Sequence, residues 1–302
     1  MQVFLQQIIN GLGLGSIYAL IAVGYTLVYG VLRLINFAHG DVFMVGAFLG
    51  LFAGVSLHQS LWVSLLFSMA GCALLGILIE RLAYRPLRKA PRMAALITAI
   101  GVSLLLENGG QLPEVFGPNP QSYTNPKTDL PLFIPEHVYR VGGVSIDLPT
   151  ICIWIATAII FVGLRILVTK TKIGKAMRAV QHDQESAALM GIDVNGIILF
   201  TFGLGSALAA VAGVLFASEY GQIDPLMGLM PGLKAFIAAV LGGIGSVPGA
   251  IIGGLLLGVV ETLVAQFQGG ATYRDGIAFL ILILVLLWKP TGLLGTGAVE
   301  KV

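Results

Sequence analysis

Residues 197–218 read IILFTFGLGSALAAVAGVLFAS and contain no charged side chain. A helix that crosses the hydrocarbon core of a bilayer needs about 20 mostly apolar residues, and this run supplies them. The whole chain has the same character, with a mean hydropathy of +0.92 and with 11% of its 302 residues charged. Soluble domains carry about 25% charged residues. Too little charge is present to cover a globular surface in water, so the sequence predicts an all-α integral membrane protein.

Nine apolar stretches are candidates for membrane-spanning helices. They cover residues 7–31, 41–57, 62–83, 93–112, 150–168, 197–218, 233–244, 249–267 and 276–288. The seventh and the last are short, so we expect eight or nine spans. Pro248 and several glycines break the apolar run from 241 to 258. This break indicates either an interrupted helix or a tight cytosolic hairpin between two spans. Together the stretches form a single membrane domain that takes in residues 1–302.

Two groups of basic residues set the predicted orientation, because loops rich in Lys and Arg stay in the cytosol. One comprises Arg81, Arg85, Arg88, Lys89 and Arg92, and the other Arg165, Lys170, Lys172, Lys175 and Arg178. Two spans separate the groups, so both can face the cytosol while residues of about 113–149 form an extracytoplasmic loop. Within this loop, VYRV-GG-VSID predicts a hairpin with a Gly142–Gly143 turn. Lys289 places the C-terminus in the cytosol, and the side of the N-terminus stays open.

A polar segment of about 169–195, TKTKIGKAMRAVQHDQESAALMGIDVN, interrupts the apolar pattern. Its apolar residues recur every three to four positions, which predicts a cytosolic helix. Within it, Glu185-Ser186-Ala187-Ala188 is followed closely by Gly191. A short helix with small residues can dock in a groove of a soluble partner. The alternative, a helix held on the membrane surface by its lysines, is disfavoured by the acidic second half.

The break between the first two apolar stretches, RLINFAHGD at 33–41, brings three polar residues together: Asn36, His39 and Asp41. Non-helical backbone at membrane depth is tolerated only inside protein or beside a water-filled path. One interpretation is therefore a discontinuous helix that lines a transport pathway. The other is an ordinary cytosolic turn with Asp41 as the N-cap of the next helix.

Three carboxylates, Glu107, Glu219 and Glu261, lie within or near predicted spans. A charge at the bilayer centre costs about 2.5–3.5 kcal/mol on insertion scales, so each needs a reason to be there. The predicted topology puts all three towards the outer side. They either line an outward-facing vestibule or lie solvated at the interface. We count them, with Asn36, His39 and Asp41, as candidates for the substrate pathway.

Several signals of catalysis are missing from the sequence. No G-x₄-G-K-[ST] phosphate-binding motif occurs, and neither a zinc motif nor a G-x-S-x-G elbow is present. The four histidines are scattered, and no pair of carboxylates has the spacing of a metal site or a proton relay. We expect a non-enzymatic chain that holds no metal or cofactor, hydrolyses no ATP itself and binds no nucleic acid.

The stretch NGLGLGSIYALIAVGYTLVYGVLRLINFAHGD, Asn10–Asp41, closely resembles the first permease subunit of branched-chain amino acid ABC importers, the H-type subunit of the leucine/isoleucine/valine systems. The second half agrees in its polar segment, in LFTFGLGSALAAVAGVLFA, in KAFIAAVLGGIGSVPGAIIGG and in KPTGLLG. The resemblance covers most of the chain in order and spacing. The outer loop of about 113–149 matches least.

The resemblance implies an all-helical permease of the bacterial inner membrane that works by alternating access. It implies a second, related permease chain, two cytosolic subunits that bind ATP and Mg, and an extracytoplasmic substrate-binding protein. The polar segment would be the part that couples to the ATPases, and Ser186 departs from the usual E-A-A…G pattern. The candidate coupling residues are Arg178, Glu185, Ala187, Ala188 and Gly191.

The substrate is less closely defined by the resemblance. Leucine, isoleucine and valine lead, and permeases for urea, short amides or other amino acids share a similar NFAHG segment. A stand-alone channel and an ion-coupled secondary transporter are the rival classes. Both rivals leave the cytosolic helical segment without a role.

Overall fold

The computed structural model describes residues 2–88, 90–125, 131–135, 137–267 and 270–295. These residues form the helices α1 Gln2–Leu32, α2 His39–Val55, α3 Leu61–Ile79, α4 Arg92–Gly110, α5 Leu148–Lys170, α6 Lys172–His182, α7 Gln184–Leu189, α8 Val194–Tyr220, α9 Leu229–Gly242, α10 Val247–Ala265 and α11 Gly270–Trp288. The short strands are β1 Gln121–Ser122, β2 Val138–Val141, β3 Val144–Asp147 and β4 Gln222–Ile223. A π-helical turn, Glu80–Tyr84, continues α3. The predicted all-α fold is confirmed.

Each of the nine predicted apolar stretches coincides with a helix. Among the described residues, six helices are long and apolar enough to cross a membrane: α1, α3 with its continuation to Leu87, α4, α5, α8 and α10. The helices α2 and α9 are apolar but shorter. The helix α2 is short because it begins at the buried residue His39, inside the protein.

The helices are arranged as a buried centre and an outer ring. Of the 18 residues that form the most apolar part of α1, 94% are buried, whereas in α5 the buried share of such a stretch is 17%. The centre is held by close backbone contact, because a Cβ on Gly254 of α10 would lie 2.6 Å from Cα of Ala19 in α1. Small residues permit this approach in membrane proteins. The outer helices α3, α4 and α5 expose apolar side chains, as surfaces that face lipid or another permease do.

Two sets of contacts define the two ends of the molecule. At one end, the Gln6 side chain donates to the Ser145 carbonyl over 2.8 Å, which joins the start of α1 to the outer loop. At the other, Arg88 donates to the Asn195 side chain over 2.6 Å, which joins the two basic regions. The basic groups therefore share one end, as predicted. The start of α1, whose side the sequence left open, lies at the opposite end with the outer loop.

The outer loop contains the predicted hairpin. Strands β2 and β3 pair antiparallel with Val141 opposite Val144, and Gly142 and Gly143 have φ of 61° and 84°. A two-residue turn with both φ values positive suits the twist of a hairpin, and glycine adopts it without strain. Residues 126–130 and 136 of the loop, and Lys89 of the first basic group, lie outside the described residues.

The chain re-enters the protein after α1. It turns at Arg33, whose φ is 54°, and residues 33–38 run back without helical structure before α2 begins at His39. The His39 ring lies beside Gly24, since a Cβ there would be 2.6 Å from its Cε1 atom. Gly24 lies two turns before the end of α1, so α2 starts about 12 Å inward from that end at 1.5 Å per residue.

Candidate functional site

Two helix N-termini meet inside the protein. A Cβ on Gly40, in the first turn of α2, would lie 2.5 Å from the Gly228 carbonyl oxygen, immediately before α9. Neither N-cap residue, Ala38 for α2 or Gly228 for α9, supplies a side-chain hydrogen bond to its helix. The N-terminal end of a helix carries a partial positive charge on its free N–H groups. Two such ends are in contact here, although the backbone N–H groups of His39, Asp41 and Leu229 already donate to backbone carbonyls.

A cavity of about 190 Å³ lies at this meeting point, between α2, α4 and α9. It is lined by Tyr25, Phe37, Asp41, Ile100, Ser103, Leu104, Glu107, Gly228, Leu229, Gly232 and Leu233. The lining is mostly apolar, with its few polar groups concentrated on α2 and α4. This composition is typical of sites for small organic ligands.

Asp41 is a buried member of the lining, with 2% of its surface exposed. The Ser103 hydroxyl on α4 donates to the Asp41 carboxylate over 2.5 Å. Asp41 is not the N-cap of α2, because Ala38 holds that position and the helix already includes His39. The interpretation of Asp41 as the N-cap of α2 is therefore wrong, and from Asn36 onward the break is buried inside the protein rather than exposed as a surface turn.

Glu107 lies one helical turn beyond Ser103, on the same face of α4, and is 9% exposed. Its carboxyl group interacts with that of Asp41. Within the described part of the chain, no Lys, Arg or His forms an ion pair with either carboxylate. The cavity thus has two neighbouring carboxyl groups and no cation of its own.

Asn36 and His39 lie behind this cavity rather than on its surface. The Tyr84 hydroxyl donates to the Asn36 side-chain oxygen over 3.0 Å, which anchors the re-entrant segment to the end of α3. The His39 ring packs on Tyr25, with 4.7 Å between ring centroids. Both residues are buried, and their contacts fix the position from which α2 starts.

The structure does not bring the other two carboxylates to the cavity. Glu219, near the end of α8, accepts a hydrogen bond of 3.0 Å from Thr150 on α5. Glu261 on α10 is paired with Lys234 of α9, and Arg274 of α11 donates to it over 2.6 Å. Glu261 therefore ties three helices together, as a buried charge in a membrane protein usually does when it is paired.

Sequence reasoning missed several residues of these two regions, although signals for them exist. Ser103 is four residues before Glu107, a spacing that places both on one helix face. Lys234 lies in an apolar stretch, and an ionisable residue there calls for a partner. Tyr25 carries no comparable signal, because an aromatic residue in an apolar helix is ordinary.

The polar segment forms two helices at the basic end of the molecule. Asp183 caps α7 and accepts from the backbone N–H of Glu185 over 2.9 Å and from the Ser186 hydroxyl over 2.6 Å. These bonds, the one from the Ser186 side chain foremost, lower the pKa of the Asp183 carboxyl. Ser186 thus has a local role in the cap, which accounts for the serine at this position.

The surface beyond this cap is apolar and unusually exposed. Ala187 packs inward, whereas Leu189 and Met190 are 87% and 83% exposed. Gly191 ends the segment with φ of 82°, and no atom lies within 4 Å of where its Cβ would be. Glu185 and Ala188 are exposed on the same short helix. Arg178 is also exposed, but its guanidinium donates to the Val168 carbonyl and so binds α6 to α5.

The polar segment also contacts the start of the re-entrant segment. The Gln184 side chain donates to the Val31 carbonyl over 3.0 Å, and Arg33 reaches the Gln181 carbonyl at 3.5 Å. The residues after Arg33 lead directly to Asn36, His39 and Asp41. A displacement of α6 and α7 would therefore act on the chain that carries the cavity residues.

Comparison with known proteins gives a family for this arrangement. The model of the branched-chain amino acid transport system permease component matches residues 7–286. The chain belongs to this family. Permeases of this kind are multi-pass proteins of the inner membrane, and the apolar helices of this permease agree with that location.

The permease has relatives that match along nearly their whole length. It is 44% identical to the high-affinity branched-chain amino acid transport system permease protein BraD of Pseudomonas aeruginosa, over 99% of this chain and 98% of that one. It is 43% identical to LivH of Escherichia coli, with the same coverage. A probable LivH of Methanocaldococcus jannaschii is 30% identical over 93% of this chain and 89% of its own. No solved structure matches the permease significantly.

Proposed function

We propose that this permease is a membrane-spanning subunit of an ATP-driven importer that moves branched-chain amino acids inward by alternating access. The observation that carries the proposal is the 44% identity to BraD over 99% of the chain. A likeness of that extent includes the outer loop, the polar segment of about 169–195 and the re-entrant segment before α2. No large region of the chain lies outside the match, so none is left that would give it a different function.

The proposed importer contains four further components. A second, related permease completes the membrane pathway, and an extracytoplasmic binding protein delivers substrate to the outer loop of about 113–149. Two cytosolic subunits bind ATP and Mg and supply the energy, so this chain needs no catalytic residue or cofactor of its own. The whole of residues 1–302 serves as one membrane domain.

The coupling surface of the proposal is the segment of about 169–195. The exposed residues of α7, with Leu189 and Met190 beyond it, offer a short helix with an apolar end to a groove on an ATPase. Glu185, Ala188 and Gly191 belong to this surface, Ala187 packs inward beneath it, and Arg178 supports it from α6. When the ATPase dimer closes, the segment moves, and its contacts with Val31 and Arg33 carry that motion to the re-entrant segment.

Reconstitution of the complete importer in proteoliposomes tests this function. We expect leucine uptake that requires ATP and the binding protein, and we expect urea or short amides not to compete with it. Uptake of solute by this chain alone, or uptake driven by a proton or sodium gradient without the ATPases, would contradict the proposal.

A charge reversal tests the coupling surface. Glu185→Arg and Gly191→Arg should leave ATP hydrolysis in place and strongly reduce uptake per ATP consumed. The matched control is Gln59→Arg, which introduces the same arginine at an exposed residue between α2 and α3 and should behave as the native protein does. If uptake per ATP consumed were the same in all three variants, α7 would not be part of the ATPase interface.

A further inference from the structure

We propose that the cavity between α2, α4 and α9 binds the zwitterionic head of an aliphatic amino acid, with Asp41 and Glu107 at its ammonium group and the meeting N-termini of α2 and α9 at its carboxylate. This inference rests on the proposed function and assigns the substrate a place within it. Three independent features of the cavity carry it.

The first feature is the pair of carboxyl groups. Glu107 is 9% exposed and Asp41 2% exposed, and Ser103 is the hydrogen-bond donor that reaches Asp41. Glu107 faces the cavity and its carboxyl group interacts with that of Asp41, but no Lys, Arg or His in the described residues forms an ion pair with it. Two buried carboxyl groups without a cation are electrostatically incomplete. A ligand ammonium group supplies both the charge and the N–H donors that they lack.

The second feature is the pair of helix ends. Gly40 and Gly228 bring the first turns of α2 and α9 into backbone contact, and neither end has a side-chain cap. Discontinuous helices whose N-termini face a midplane site bind anionic groups in several transporters. The cavity includes Gly228, Leu229 and Gly232 of α9. A substrate carboxylate placed there would face two partial positive charges, while its ammonium group faces α4.

The third feature is the remainder of the lining. Phe37, Ile100, Leu104, Leu229 and Leu233 surround the polar groups with apolar surface. The volume of about 190 Å³ is modest, yet an apolar cavity of about 150 Å³ in another protein holds benzene. Space of this size accepts a branched aliphatic side chain and excludes a peptide. The open side of the cavity, along the exposed face of α4, is where a second permease chain can complete it.

The experiment measures ligand protection of a cysteine placed in the cavity. In the purified importer without its binding protein, Leu104→Cys is introduced into a Cys152→Ser background, where the remaining Cys72 is buried. The rate of modification by a small maleimide is then measured with and without leucine. We expect leucine to slow it, and 4-methylpentanoate and 3-methylbutylamine, which lack the ammonium and the carboxylate respectively, to have little effect.

Removal of a single carboxylate then identifies the group that binds the ammonium. In Glu107→Gln and in Asp41→Asn, the leucine concentration that gives half protection should rise about tenfold or more, as the loss of a charged hydrogen-bond partner implies. The matched control is Glu114→Gln, which removes an exposed carboxylate from the region after α4 and should change nothing. Leu233→Phe should weaken protection by leucine more than protection by alanine, because it narrows the apolar part.

The melting temperature distinguishes a role of Glu107 in ligand binding from a role in holding the fold together. Glu107→Gln removes a buried carboxylate that has no cation, so it should leave the melting temperature unchanged or raise it. Native-like protection by leucine in Glu107→Gln, or equal protection by all three compounds in the native sequence, would overturn the inference while ATP-dependent leucine uptake stands. Absence of that uptake in the native importer would instead count against the proposed function.

Discussion

Gly40 lies where the start of α2 packs so closely against α9 that a larger residue does not fit. A Cβ there would lie 2.5 Å from the Gly228 carbonyl oxygen and 3.0 Å from Cα of Gly232. Both neighbours are backbone atoms, so no side chain can rotate away to make room. The contact between the two helix starts, and with it the shape of the cavity, depends on this one missing methyl group.

Gly40→Ala should therefore destabilise the protein by about 1–3 kcal/mol, the usual range for overpacking, and should reduce transport further by separating α2 from α9. The melting temperature can be followed with a thiol-reactive dye, because unfolding exposes the buried Cys72. The matched control is Gly163→Ala in α5, where nothing beyond the local backbone of the helix lies within 4 Å of the new Cβ. There the better helix propensity of alanine should stabilise the protein by up to about 1 kcal/mol. A Gly40→Ala protein as stable as the native one would show that the two helix ends can move apart freely.

Some of the residues in the candidate site could be identified from the sequence, and others could not. Asp41 could be chosen because it belongs to a polar cluster at a break between two apolar stretches, and Glu107 because a carboxylate within a predicted span is costly enough to need an explanation. Their proximity could not be inferred, since it depends on the packing of α4 against α2. Lys234 and Glu261 illustrate the same limit, because each charge is visible alone while the pair exists only after α9 and α10 pack.

The helices themselves were the most predictable elements. Continuous apolar runs must form helices in a bilayer, where each backbone N–H and C=O group needs a partner within the segment. The break at 33–41 was ambiguous because a polar cluster beside a glycine suits both a surface turn and a re-entrant segment. What decides between them is the contact of His39 with Gly24 and Tyr25, a tertiary fact that no local pattern contains.

The short helix α7 depends on its cap, and this dependence can be measured through hydrogen exchange of the Glu185 and Ser186 amides. Asp183→Ala should make these amides exchange faster, whereas Asp183→Asn should keep them protected because asparagine caps as well. The folded state lowers the pKa of Asp183, so the ionised cap contributes stability above the ordinary carboxyl pKa of about 3.9. That contribution is lost as the pH falls below this value through the lower pKa of the folded state. Exchange that is the same in Asp183→Ala and in the native protein would mean that packing of Ala187 alone holds α7.

The whole molecule has a defined direction in the membrane. The start of α1 contacts Ser145 of the outer loop, and the end of α1 contacts the segment that carries α6 and α7. Because basic loops stay in the cytosol, we expect the start of α1 to be outside and α7 to be inside. The sequence could not settle the first of these, because the count of spans depended on how two short helices were treated.

Single cysteines at positions 3 and 189 check this direction. Val3 is exposed at the beginning of α1, and Leu189 is exposed at the end of α7. In the chain expressed without its ATPases, in the Cys152→Ser background, Val3→Cys should react with a membrane-impermeant maleimide in intact spheroplasts. Leu189→Cys should react only after permeabilisation. If Leu189→Cys reacted in intact spheroplasts and Val3→Cys only after permeabilisation, the outer loop and the polar segment would lie on the opposite sides of the membrane from those assigned here.

The close packing of α1 on α10 has a consequence for how the protein is made. Gly11 and Gly15 of α1 fit against Val259 and Leu255 of α10 so tightly that a Cβ at either position would lie less than 3 Å from helix backbone. The first helix to leave the ribosome therefore packs against one of the last helices to be made. Until α10 is synthesised, α1 must wait in the bilayer with its glycine surface against lipid. A nascent chain stopped before residue 247 should remain a substrate for membrane proteases, and resistance to them should appear late, as an abrupt step in biogenesis.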